Sequence, residues 1–194
     1  MFERAAGKLE EATTLLDQLK VAKDTRSFRS LFNALINVLR AITNALQAEG
    51  KHIKGFTEWY KPRQQEMRTD ELLRFIHDAR VQDFHEGRHR LWFPSAHIKS
   101  YSTDSAGPPP APNASLVIGT EGPSWIVDQG TSRERTIPVR HGGSWTVQVA
   151  IDNGPQVHKG RKLLRRDPVT ICQLAIAYLQ NLVYEAKSKY SSVQ

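Results

Sequence analysis

The chain is nearly without cysteine: Cys172 is the only one in 194 residues. No internal disulfide can form, and a zinc site built from thiolates alone is excluded. A reducing, cytoplasmic setting is the expectation. The sequence also lacks an apolar run long enough to cross a bilayer, so no membrane association is expected. Its first residues, MFERAAGKLEEATTLL, place acids early and hold no continuous apolar core, which argues against a secretory leader. There is no P-loop, no G-x-G-x-x-G turn, no nucleophile elbow and no internal repeat. The usual signatures of nucleotide-cradling and serine-hydrolase chemistry are therefore missing, and no cofactor is expected.

What is present suits a globular protein: 39% of residues are hydrophobic and 24% charged. The length allows one ordinary domain with a real core, and residues 1–194 read as a single domain. Lys and Arg number 27 against 20 Asp and Glu, a net charge of +7. That balance favours anionic partners such as nucleic acid, with a solvated basic surface as the plain alternative.

The first half reads as helices. Residues 2–23 carry Leu9, Leu15, Leu16 and Leu19 among Glu and Lys, a half-buried pattern. Asp24 or Ser27 can cap a second helix over about 27–49, where Phe28, Leu31, Phe32, Leu35, Leu39, Ile42 and Leu46 recur at three- and four-residue spacing. Gly50 is placed to end it as a C′ residue. A third helix is expected over roughly 53–67 on Phe56, Trp59, Tyr60 and Met67, with Pro62 in its first turn or at a kink. A fourth starts at Asp70, a natural N-cap, buries Leu72, Leu73, Phe75, Ile76, Ala79 and Phe84, and stops at Gly87.

Beyond it the periodicity changes. Leu91-Trp92-Phe93-Pro94 is an apolar strand-like or docking segment, and residues 102–114 are a Pro-rich link. Strand patterns follow at 115–118, 125–128, 136–140 and 146–151, broken by Gly-containing turns, which predicts a small antiparallel meander over about 115–152. Asp167-Pro168 then caps a last helix on Ile171, Leu174, Ala175, Tyr178, Leu179, Leu182 and Val183. The fold expected is mainly α (α+β): a bundle of about five helices, residues 1–90 plus 167–190, with the meander inserted before the last helix.

The chemistry-bearing residues concentrate in RVQDFHEGRH, Arg80 to His89. Leu73, Ile76, Arg80 and Phe84 share one helical stripe, so Arg80 faces inward or into a groove. A guanidinium there needs a partner, either a carboxylate such as Asp78 or Asp83 or a bound anion. His85 lies in the last turn, where the helix dipole favours the imidazolium and a proton can be given to a leaving oxygen near neutral pH. Positions five apart on a helix are rotated by about 140°. Arg80 and His85 meet one phosphate only if the last turn loosens or a second copy contributes, and a symmetric dimer would set two of each across one cleft.

Arg80-Val81-Gln82-Asp83-Phe84-His85, an R-x4-H element late in an all-helical bundle, resembles the HEPN superfamily. Many members of that family are metal-independent ribonucleases, often toxins or antiviral effectors that work as dimers. The resemblance implies that Arg80 stabilises phosphate charge and that His85 moves a proton or orients the scissile phosphate. It implies RNA or another nucleotide-bearing anion as ligand, a homodimer, and an antitoxin-type protein as a further partner.

His85-Glu86-Gly87-Arg88-His89 also matches H-E-x-x-H, in which two histidines on one helix face bind zinc and the glutamate activates water. Gly87 between the ligands and Pro94 beyond them oppose a continuous helix. A third ligand would have to come from His97, Glu121 or elsewhere. No metal is the main expectation, with zinc at His85, Glu86 and His89 as an alternative.

A third element is the basic segment His158 to Arg166, whose Lys159, Arg161, Lys162, Arg165 and Arg166 can hold phosphates or form a solvated connection. Trp59, Tyr60, Trp92, Trp125 and Trp145 could stack on bases, but their spacing favours core packing. Cys172 reads as a small core residue and His141 as turn chemistry. The residues thus support a HEPN-like RNA-binding protein or metal-independent endoribonuclease, a non-catalytic helical-bundle protein in which Arg80 is salt-bridged, or a zinc hydrolase.

Overall fold

A computed structural model describes the backbone of residues 1–86, 91–101, 107–119, 122–139, 143–151 and 154–190, with side chains over 1–79, 107–118, 123–139, 150–151 and 154–190. The chain divides into two compact units, one of Met1–Val21, Ser30–Leu91 and Ile151–Gln194, the other of Ala22–Arg29 and Trp92–Ala150. Among the described residues there are five helices, α1 (Glu3–Val21), α2 (Thr25–Gly50), α3 (Phe56–Thr69), α4 (Glu71–Glu86) and α5 (Pro168–Tyr190). A small antiparallel meander precedes the last helix in the chain, and the class is mainly α.

In the helical unit the periodic residues form the core. Leu35, Leu39, Ile42 and Leu46 of α2 are buried, as are Leu72, Leu73, Phe75, Ile76 and Ala79 of α4. From α5, Ile171, Ala175, Tyr178, Leu179, Leu182 and Val183 face inward. α5 packs along α1 and α4, and α3 packs on α4. Glu49, at the end of α2, accepts the N–H groups of Arg4 and Ala5 at 3.1 and 3.0 Å, satisfying donors that the first turn of α1 cannot pair internally.

The α2–α3 junction departs from expectation. Gly50 is the last helical residue, and its φ is not positive, so it is not a left-handed cap. Glycine is needed there for space: a Cβ would collide with the ring of Phe56. α3 begins only at Phe56, after Gly55 at φ 78°. Phe56 stacks on Phe2 and Tyr60 with centroids 5.8 and 5.4 Å apart, and Tyr190 from α5 joins it at 5.9 Å. Pro62 lies well inside α3 rather than in its first turn.

Asp70 alone links α3 to α4. Its N–H bonds Glu66 O at 2.9 Å, closing α3, while its Oδ1 accepts Leu73 N–H at 3.0 Å, capping α4. Asp167 caps α5 in the same way, through Thr170 N–H at 3.0 Å. After Pro155 the chain forms a hairpin, β6 (Val157–His158) and β7 (Arg161–Lys162), with Val157 opposite Lys162.

The second unit is mostly strand. Asp24 caps the first turn of α2 through Ser27 N–H at 2.8 Å. β1 (Leu91–Tyr101) extends the apolar segment into an eleven-residue strand. β2 (Ser115–Gly119), β3 (Gly122–Val127) and β4 (Arg135–Pro138) form the antiparallel meander, with Leu116 opposite Trp125 and Trp125 opposite Ile137. β5 (Gly143–Ile151) does not continue that sheet; it pairs with β1. Among the described residues no helix is long and apolar enough to cross a membrane.

Candidate nucleic-acid interface

The basic segment is folded, not a plain connecting loop. Its turn residues Lys159 and Gly160 have φ of 48° and 72°. Two positive φ values in a two-residue loop match the twist of the flanking strands. Glycine meets that demand freely. Lysine does so because its N–H is held, donating to Asp70 Oδ2 at 2.7 Å.

The acids at the start of α4 clamp this hairpin. Glu71 Oε2 accepts the N–H groups of Gln156 and Val157 at 2.9 and 3.2 Å. His158 Nδ1 lies 3.0 and 3.1 Å from the two carboxylate oxygens of Asp70. A carboxylate only accepts, so Nδ1 carries the proton in this contact. Only 7% of the Asp70 side chain is exposed. Burial pushes its carboxyl upward, but the bonds from Lys159 N–H, the His158 ring and Leu73 N–H outweigh it and hold the group below the usual aspartate value.

Beside the clamp lies a cleft of about 270 Å³ between α3, α5 and the hairpin turn. Tyr178 Oη donates to Glu66 Oε2 at 3.0 Å, Lys159 Nζ lies 3.9 Å from Glu66 Oε1, and Arg63 pairs with Glu185 at 3.0 Å. Burial and the Glu66 carboxylate both push the Tyr178 phenol up, so it stays a neutral donor. Two cations and two carboxylates here satisfy one another, which leaves no excess charge for an anion.

The five cations of the segment therefore separate. Lys159 is engaged by Glu66 and the Tyr178 ring, 4.8 Å from its centroid. Arg165 Nε lies 3.5 Å from Asp167 Oδ2. Arg161, Lys162 and Arg166 are exposed and form no ion pair among the described residues. Leu164, between them, is 97% exposed.

Arg80, His85 and Glu86 belong to α4, but their side chains lie outside the described residues, and so do Gly87 and His89 altogether. Asp78, a candidate mate for Arg80, contacts His77 Nδ1 at 3.2 Å. Asp83, Glu121 and His141 lie outside the described residues or side chains, as does the His97 side chain of β1. Among the described residues no group of His, Cys, Asp or Glu could hold a metal ion. Trp59 and Tyr60 are buried in the aromatic cluster and Trp125 is half-buried. The side chains of Trp92 and Trp145 are outside the described set. Cys172 is fully buried, and burial pushes its thiol up.

Sequence reasoning saw Asp70 as a cap and missed its second role, together with that of Glu71. Their partners lie 85 to 89 residues away, and nothing in local spacing announces them. The only signal was Lys159-Gly160, a two-residue turn between short polar runs.

A family model described as bacteriophage lambda protein ea47 matches residues 16–122, from within α1 to the start of β3. No curated protein and no solved structure matches the chain. The match spans more than half of the sequence and takes in the capped α3–α4 junction, and the chain belongs to the bacteriophage lambda protein ea47 family.

Proposed function

We propose that this protein binds RNA as a HEPN-like homodimer, with α4 as the functional helix. One observation carries the reading: Asp70 and Glu71 fasten the basic hairpin to the N-terminus of the helix that also bears Arg80 and His85. Arg161, Lys162 and Arg166 are left to meet phosphates. From Asp70 to Arg80 the helix rises about 15 Å, a span of a few nucleotides. One RNA strand can thus be held on the hairpin while its neighbouring phosphates run along α4.

In the catalytic form of this reading, a ribose 2′-hydroxyl attacks the adjacent phosphorus. The 5′-oxygen leaves, giving a cyclic phosphate and a free 5′-hydroxyl. Arg80 neutralises the charge that develops on the phosphoryl oxygens, and His85 gives or takes the proton. A second copy would bring another Arg80–His85 pair to the cleft. The lone, buried Cys172 suits a protein working in the reducing cytoplasm.

The test separates binding from cleavage. Single-stranded RNA is titrated at several salt concentrations, in chelator. Wild type should bind with a steep salt dependence. Arg161→Ala/Lys162→Ala/Arg166→Ala should flatten the log–log slope by about 2, at roughly 0.7 per lost phosphate contact. Arg80→Ala and His85→Ala should abolish cleavage while leaving binding within about threefold. An unchanged slope in the triple variant would overturn the binding reading. Equal inertness of wild type and both single variants across varied RNAs would remove the nuclease.

A further inference from the structure

A second cavity lies elsewhere in the helical unit, where α2, α3, α4 and α5 converge, and holds about 550 Å³. Its floor is aliphatic: Leu39, Met67, Leu73, Ile76 and Leu179. Its rim carries three guanidiniums, those of Arg40, Arg68 and Arg74, with His77 beside them. Among the described residues no carboxylate lines it and no Phe, Tyr or Trp ring does.

These facts constrain an occupant. Three guanidiniums around one mouth repel one another, and Arg68 and Arg74 have no ion pair among the described residues to offset that repulsion. The nearest acids in sequence are turned to other work. Glu66 holds Tyr178, Asp70 and Glu71 hold the hairpin, and Asp78 contacts His77. Arg40 donates to a neutral group, Thr43 Oγ1, at 3.4 Å. An anionic head at the rim would complete the electrostatics. The floor has no ring on which a base could stack, so a nucleotide is poorly served. A flexible alkyl chain fits an aliphatic floor that includes methionine, and the volume is within the usual range for a small-molecule site between helices.

We propose that this cavity binds a single-chain aliphatic anion, the chain on the floor and a carboxylate or phosphate head among Arg40, Arg68 and Arg74. The site is independent of the RNA reading, since it shares no residue with the hairpin or with Arg80 and His85.

The experiment is calorimetric titration of the whole protein with octanoate, decanoate, decyl phosphate, decanol and adenosine monophosphate, all below micellar concentration. Decanoate or decyl phosphate should bind one to one, and the tighter of the two assigns the head group. Affinity should rise on the order of tenfold from octanoate to decanoate, from the transfer of two methylenes. Arg68→Gln/Arg74→Gln, both at exposed positions, should weaken binding about tenfold. Met67→Trp should block the floor, with its circular dichroism and melting temperature confirming that it is folded. Arg133→Gln, at an exposed position that does not line the cavity, should leave this binding unchanged.

Decanol binding as tightly as decanoate would mean that the rim recognises no charge and would overturn the proposal. So would tighter binding of adenosine monophosphate, which would make the cavity a nucleotide site. Absence of binding by both anions at millimolar concentration would also overturn it.

Discussion

At the α2–α3 junction, Phe56 presses its ring where Gly50 leaves room and gathers Phe2, Tyr60 and Tyr190 around it. At the α3–α4 junction, one aspartate closes α3, caps α4 and holds a hairpin from far along the chain. The same helix is thus fixed by close packing at one end and by a carboxylate at the other. The apolar joint depends on shape, so salt and pH should leave it alone. The carboxylate joint is directional and charged, so it responds to both.

The largest expected effect is on the apolar side. Phe56→Ala should cost about 4 kcal/mol, from lost transfer energy and the cavity left behind. Urea unfolding at pH 5 and pH 7 should give the same loss. Gly50→Ala should cost about 2 kcal/mol through overpacking against that ring. A double-mutant cycle with Phe56→Leu should recover part of it, because the two sites touch. If the two losses simply add, the close approach is not what demands glycine.

On the polar side, Asp70→Ala should cost about 2 kcal/mol near neutral pH, the sum of a lost cap and the stranded donors of Lys159 and His158. The pH dependence sharpens the contrast. The Asp70 carboxyl is held below its ordinary value of 3.8 in the folded state. Its contribution is therefore complete above the unfolded value and fades as pH falls through the lower, folded one. Wild-type stability should drop in acid below about pH 4 more steeply than that of Asp70→Asn, measured by urea unfolding from pH 6 to pH 2. Asp24, lowered by its bond from Ser27 N–H, adds to the acid slope in both proteins and cancels in the comparison. Parallel profiles would show that the clamp contributes little.

The smallest effect is expected at Lys159. Replacing it by glycine relieves a left-handed conformation worth roughly 1 kcal/mol. It also removes the cation over the Tyr178 ring, of similar worth. The net change should stay within about 0.5 kcal/mol by thermal unfolding. A larger loss would mean that the Lys159 side chain, rather than its backbone N–H, holds the hairpin.

Local pattern determined the helices and the capped starts of α2, α4 and α5. The stripe from Phe32 to Leu46, the caps Asp24, Asp70 and Asp167, and the Pro168 start of α5 each act within a few residues, so their physics is written in spacing. The strand patterns at 115–118 and 146–151 are legible for the same reason, but not the start of β5 at Gly143 nor its choice of β1 as partner. Glu49 capping α1 and Asp70 with Glu71 seizing the hairpin depend on groups tens of residues apart, and Phe56 demands Gly50 through a close approach across the α2–α3 turn that no periodicity announces.

The candidate site divides along that line. Composition alone marked Lys159, Arg161, Lys162, Arg165 and Arg166 as a cationic run. Which of them are neutralised was decided by where Glu66, Tyr178 and Asp167 stand once the chain is folded. Charge is a property of residues and can be counted in a sequence. Whether a charge is spare is a property of distance, and distance between remote residues exists only in the folded chain.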